Sequence, residues 1–171
     1  MRSFISRTFR LLPVLGLALL LPALKAGAVE VGQPVPGWKL TDLTGQPVTS
    51  SQFKGKVVVV DFWATWCGPC ISEIPGYVAL QQKYGKDGLV IVGVSVDQNG
   101  PEHVKKFATA KGMNYTIVMG DDAVVESFGG IDAIPTTFLI GRDGRLIHQK
   151  TGAMPREEYE KLVVSALNAG A

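Results

Sequence analysis

Past residue 28 the chain alternates short apolar runs with turn residues, and the spacing of those runs predicts its elements. Trp38–Leu40 and Pro47–Thr49 lie either side of Gly45 and predict an N-terminal hairpin. Val57–Phe62 is β-branched and apolar except for Asp61, the pattern of a strand buried on both faces. From Cys67 the spacing turns helical and lasts to about Tyr84, in spite of Pro75. Leu89–Val96 reads as a second apolar strand. Pro101–Lys111 opens on proline and sets Val104, Phe107 and Ala108 on one face, which predicts a helix. Tyr115–Met119 is a short strand and Ala123–Phe128 a helical stretch. Thr136–Ile140 and Arg145–Gln149, joined through Arg142-Asp143-Gly144, carry a hairpin signal. Pro155–Asn168 closes the chain as an amphipathic helix. This order predicts one α/β domain over 29–171, with a mixed central sheet and no repeat or linker.

The first 28 residues follow a different pattern. Arg2, Arg7 and Arg10 precede the apolar run Leu11–Leu24, and Ala26-Gly27-Ala28 supplies the small residues that signal peptidase favours. A membrane-spanning helix needs roughly 18 or more apolar residues. This run has 14 and contains Pro13, Gly16 and Pro22, so a cleaved export signal is the main reading and an uncleaved membrane anchor the alternative. No cysteine follows the run to carry a lipid. The expected location is the periplasm or the outer face of the plasma membrane, where disulfides persist.

Composition narrows the choice further. Of the 171 residues 46% are hydrophobic and 19% charged, as in an ordinary globular domain. The net charge is +2, but Arg2, Arg7, Arg10 and Lys25 all lie in the first 28 positions, where there is no acid. The remainder holds 13 basic and 15 acidic residues, so no basic surface argues for nucleic acid. His103 and His148 are expected at the surface and Lys105-Lys106 on a solvated helix face. Phe107, Phe128, Phe138 and Tyr159 are expected in the core.

The chain's 2 cysteines, Cys67 and Cys70, flank Gly68-Pro69 where a strand hands over to a helix. Free N–H groups and the dipole at a helix N-terminus favour a thiolate at the first cysteine. Only the thiolate attacks disulfides, and a second cysteine one turn on is placed to resolve the mixed disulfide. Gly68 is read as permitting the tight turn, and Pro69 costs little in a first helical turn. Trp63 and Trp66 would give apolar cover.

A purely structural staple competes weakly, because a loop this short constrains the unfolded chain little. A zinc or copper site would need a ligand spacing that the remaining His and Met residues do not supply. Asp61 is costly to bury unpaired. Either it faces solvent at the strand end, or it is a carboxyl of raised pKa that takes the proton from Cys70. Glu73, one turn past Cys70, either faces the same site or is an exposed helix acid.

The segment VVVVDFWATWCGPC resembles the active-site strand and loop of thioredoxins. Pro75 matches the proline that bends the following helix, and AIPTTFLI resembles the segment bearing a cis-proline opposite the dithiol. The resemblance implies that Pro135 is cis, that Ile134 packs on the disulfide, and that Trp66, Ile134 and Pro135 bind substrate. WATWCGPCISEIP, the export segment and the N-terminal hairpin are similar to the exported TlpA/ResA-type branch of the thioredoxin superfamily. In that branch Glu73 matches the acid of a C-x-x-E-x-P pattern, and the stretch from Leu89 to Asp122 looks like its helix-strand insert. Many branch members have a neutral residue where Asp61 stands.

The resemblance implies a thioredoxin-like fold and a thiol–disulfide oxidoreductase whose catalytic residues are Cys67, Cys70, Asp61 and Glu73, with no cofactor or metal beyond the redox-active pair. It implies a monomer that reduces oxidised protein substrates, such as apocytochrome c or copper-site assembly factors. A membrane electron donor of the DsbD/CcdA type would resupply it. The alternatives are a disulfide oxidant, a thiol peroxidase, and a non-catalytic peptide-binding module of the same fold. The peroxidase reading is weakened by Ala64, which stands where such enzymes place Thr or Ser.

Overall fold

A computed structural model describes residues 29–169, and the segment read as an export signal lies outside them. Strand β3 (Val57–Trp63) is at the centre, and all seven of its residues are buried. On one side it pairs in parallel with β4 (Leu89–Ser95), and on the other antiparallel with β6 (Thr136–Ile140). The hairpin expected from Thr136 onward is formed by β6 and β7 (Leu146–Thr151), with β7 at the sheet edge. Asp143-Gly144 lies in its turn, where Gly144 takes a φ of 79°.

The other side of the sheet is built by the N-terminal hairpin and the insert. Strands β1 (Lys39–Asp42) and β2 (Pro47–Thr49) form the expected antiparallel pair. Helix α2 (Pro101–Ala110) leads to β5 (Thr116–Met119), which runs parallel to β4. Strand β1 then pairs antiparallel with β5, Thr41 opposite Met119. The result is a seven-stranded mixed sheet in the order β2-β1-β5-β4-β3-β6-β7. The helical stretch expected near Ala123 is α3 (Asp122–Ser127), capped by the Asp121 carboxylate, which accepts from Val124 N at 2.7 Å.

Side chains alternate across β3 and so divide the core in two. Val58, Val60 and Phe62 face a cluster with Trp38, Leu40, Val124, Phe128 and Phe138. Val57 and Val59 face α1 (Gly68–Tyr84) and α4 (Arg156–Asn168), where they meet Tyr77, Leu80, Tyr159 and Val163. Full burial of one such valine contributes about 1.5–3 kcal/mol, which explains why a β-branched run occupies the centre. Asp61 and Trp63 continue the second face. The acid in the pattern is therefore directed at the helix that carries the dithiol.

Phe128, Phe138 and Tyr159 are buried as expected, whereas Phe107 is only half-buried, against Trp63 at a centroid distance of 5.9 Å. His103 and the two lysines beside it are exposed. His148 is half-buried on β7, contrary to expectation, because its neighbour across the ladder is the fully buried Leu139.

Candidate active site

Cys67 is the N-cap of α1, in extended conformation at φ −87° and ψ 103°. Its sulfur accepts a hydrogen bond from the Cys70 amide at 3.2 Å and is joined to Cys70 Sγ in a disulfide of 2.00 Å. The same amide would favour a thiolate at Cys67 once the bond is reduced, in the way that any helix N-terminus favours an anion. Cys67 and Cys70 are 6% and 2% exposed, so both sulfurs sit in an apolar setting made by Trp63, Ala64 and Ile74.

Pro69 lies in the first helical turn, where its missing N–H costs nothing. Gly68 departs from expectation. It is the first helical residue, with no positive φ, and a Cβ there would meet no atom within 4 Å, so the turn does not need glycine. Helix α1 continues through Pro75 for 17 residues.

The Ile134–Pro135 peptide is cis, and Ile134 packs against the cysteine cluster. Its carbonyl oxygen is 3.7 Å from Cys67 Sγ. Trp63 is buried among the cysteines, but Trp66 is 66% exposed. Cover for the pair therefore comes from Trp63, while Trp66, next to Cys67 in the chain, is open to solvent.

Asp61 is 4% exposed, which excludes the solvent-facing alternative. Burial, and after it the charge of Glu73, pushes its carboxyl from 3.8 up to about 7; a hydrogen bond from Thr137 and the charge of Lys150 work the other way. Thr137 Oγ1 donates to Asp61 Oδ1 at 3.1 Å, and the Tyr77 hydroxyl lies 3.2 Å from that same Thr137 oxygen. A threonine has one hydroxyl proton, so with Asp61 ionised Tyr77 is the donor of that second bond. An acid titrating near neutrality can accept a proton and return it at physiological pH.

Glu73 is no exposed helix acid. Its Oε1 accepts from Lys150 Nζ at 2.8 Å and from Met154 N at 2.9 Å, and the two side chains of the ion pair are 9% and 10% exposed. It joins the site through its charge on Asp61. Lys150 was invisible in the sequence pattern, since a lysine on a terminal strand reads as a solvated face. A polar network behind the Trp66–Cys67 loop was missed too. Asp97 accepts from Thr65 N at 3.0 Å, from the Thr65 hydroxyl, and from Ser95 Oγ at 2.8 Å. His103 Nε2 lies 3.1 Å from the Thr65 hydroxyl. The one signal for it was a lone acid, Asp97, directly after an apolar strand. Among the described residues no three His, Cys, Asp or Glu side chains gather as a metal centre would require.

Comparison with known proteins bears directly on this arrangement. The Redoxin family signature matches residues 30–165. The chain belongs to the Redoxin family. It is 38% identical over 135 residues to the thiol-disulfide oxidoreductase ResA of Geobacillus kaustophilus, covering 78% of this chain and 76% of that protein. It is 36% identical over 147 residues to ResA of Bacillus subtilis, covering 84% and 81%. Among solved structures, a thiol:disulfide interchange protein of the thioredoxin family from Chlorobium tepidum matches with a TM-score of 0.74 and 31% identity, over 82% of this chain and 99% of that one. This Redoxin-family chain is thus a TlpA/ResA-type member of the thioredoxin superfamily, with the thioredoxin-like fold. It is a thiol–disulfide oxidoreductase, and Cys67–Cys70 is its CxxC pair.

Proposed function

We propose that this oxidoreductase is exported and works as a reductant of protein disulfides. Cys67 as thiolate attacks a substrate disulfide, forming a mixed disulfide and releasing the first substrate thiol. Cys70 gives its proton to Asp61 and attacks Cys67 Sγ, which releases the second thiol and leaves Cys67–Cys70 oxidised. Two electrons pass from the dithiol to the substrate. The observation that carries the reading is Asp61, a buried acid whose carboxyl burial pushes up to about 7, on the face of β3 that also bears Trp63, which packs with the two cysteines.

Exposed Trp66 and the peptide edge at Ile134–Pro135 suit an extended protein chain as substrate. Apocytochrome c and copper-site assembly factors are the candidate substrates, with cytochrome c maturation as the physiological setting. A membrane donor of the DsbD/CcdA type would return the electrons. The N-terminal segment would direct the chain to the periplasm or hold it at the outer face of the plasma membrane.

Equilibration of the purified protein against glutathione or dithiothreitol couples tests the direction. A potential near that of thioredoxin, about −270 mV, is expected. A value near about −120 mV would make the protein a disulfide donor instead. With the potential settled, Cys70→Ser should trap mixed disulfides with substrates and Cys67→Ser should not.

A further inference from the structure

Three residues on adjacent strands stand in one row across the sheet. Asp61 on β3 is paired with Thr137 on β6, and Thr137 is paired with Lys150 on β7. Residues paired across a ladder point to the same face, so all three face α1 and α4. Thr137 is already bonded to Asp61. At the far end of the row the ammonium of Lys150 meets Glu73 from α1, in an ion pair almost closed to solvent.

The groups acting on Asp61 can be sorted by charge. From α1 come Tyr77, Glu73 and the two cysteines; from β6, Thr137; from β7, Lys150; from α4, Tyr159; and beside them Tyr115. Burial pushes the phenols of Tyr77, Tyr115 and Tyr159 above their ordinary value, so they stay neutral throughout the physiological range. The cysteines do not titrate while they are joined. Among the described residues, that leaves Glu73 and Lys150 as the charges that bear on the buried carboxyl. They act in opposite directions.

We propose that Lys150 is a positioning residue for the reaction: ion-paired with Glu73 at the end of the Asp61–Thr137–Lys150 row, it sets the proton affinity of Asp61 from two strands away. The pair is a balanced couple. Glu73 keeps the ammonium occupied and adds its own negative charge, which favours the protonated acid. Lys150 favours the carboxylate. A site that must take a proton and give it back needs neither charge to dominate, and the ion pair supplies that balance. The inference rests on the assignment of Asp61 as proton acceptor.

The test uses the oxidised protein, in which no thiol titrates, with the Asp61 side-chain carboxyl followed by carbon-13 NMR from pH 4 to 10 and assigned with Asp61→Asn. Glu73→Gln is expected to lower the Asp61 midpoint by about one unit, because it removes the like charge and frees the ammonium. Adding Lys150→Met to Glu73→Gln is expected to bring the midpoint back up by a similar amount. Loss of packing alone would not give two shifts of opposite sign.

If the double variant fails to fold, Lys150→Gln replaces Lys150→Met with the same expected rise. An Asp61 midpoint that is the same in all variants, or a double variant titrating with Glu73→Gln, would overturn the proposal. Turnover is measured alongside. Midpoints that move as expected while the pH profile of reduction stays fixed would leave Lys150 in control of the Asp61 carboxyl but overturn its part in the reaction, and would remove Asp61 from the role of proton acceptor.

Discussion

Asp61, the proposed proton acceptor, weakens the fold when it is charged. Its folded carboxyl titrates near 7 against 3.8 when exposed, so the folded protein favours the protonated form. The stability linked to it is full below pH 3.8 and is lost as the pH rises toward 7. The loss is about 4 kcal/mol once the group is charged. Asp61→Asn should therefore make the oxidised protein more stable than the parent, with a difference that opens above pH 4 and levels off above pH 7 in urea titrations. The same variant should reduce a protein disulfide at least about tenfold more slowly at neutral pH, as expected when a general base is removed. Asp61 was legible because a charge in an apolar strand has few explanations. Lys150 was not, since its burial depends on Glu73 reaching across from a helix more than 70 residues away. Local periodicity holds no trace of such a meeting.

Most of the elements could be read from the sequence, and where the reading stopped, long-range pairing was the reason. The β-branched run at Val57, the proline-led start of α2 and the Asp-Gly turn after β6 each carry their own local cause. The docking of β1 onto β5 has none, because Thr41 and Met119 meet only when the insert has folded. The Thr65–Asp97 network is of the same kind, as it ties the dithiol loop to the end of β4. Helix α3 is short and depends on contacts beyond itself. Phe128 directly follows it, 1% exposed, with ring centroids 5.3 Å from Phe62 and 4.7 Å from Phe138. Phe128→Ala should cost about 3–5 kcal/mol in urea unfolding. It lies on the sheet face turned away from Asp61, so the potential of the dithiol should stay where it is.

At the scale of the whole molecule, the two ends of the sheet do different work. The dithiol, Trp66 and the cis-proline lie at the end where β3 finishes. At the other end a cavity of about 520 Å³ opens between Trp38, Phe53, Ile140 and Arg142. There the Arg142 guanidinium donates to the carbonyls of Gly55, at 3.0 Å, and Asp87, at 2.9 Å, and so ties the turns before β3 and β4 together. Between these ends runs β3, buried along its length and paired on both edges. Its amides are expected to exchange with deuterium only through global unfolding, so their protection reads the global unfolding free energy. Val59 and Val60 thus become clocks for the stability of each redox state. If they exchange more slowly with Cys67–Cys70 joined than with it reduced, the folded chain favours the disulfide and the protein gives electrons away. Every 1.4 kcal/mol of difference lowers the potential by about 30 mV relative to the unfolded chain. Slower exchange in the reduced protein would mean that it takes electrons, and the reductase reading would fall.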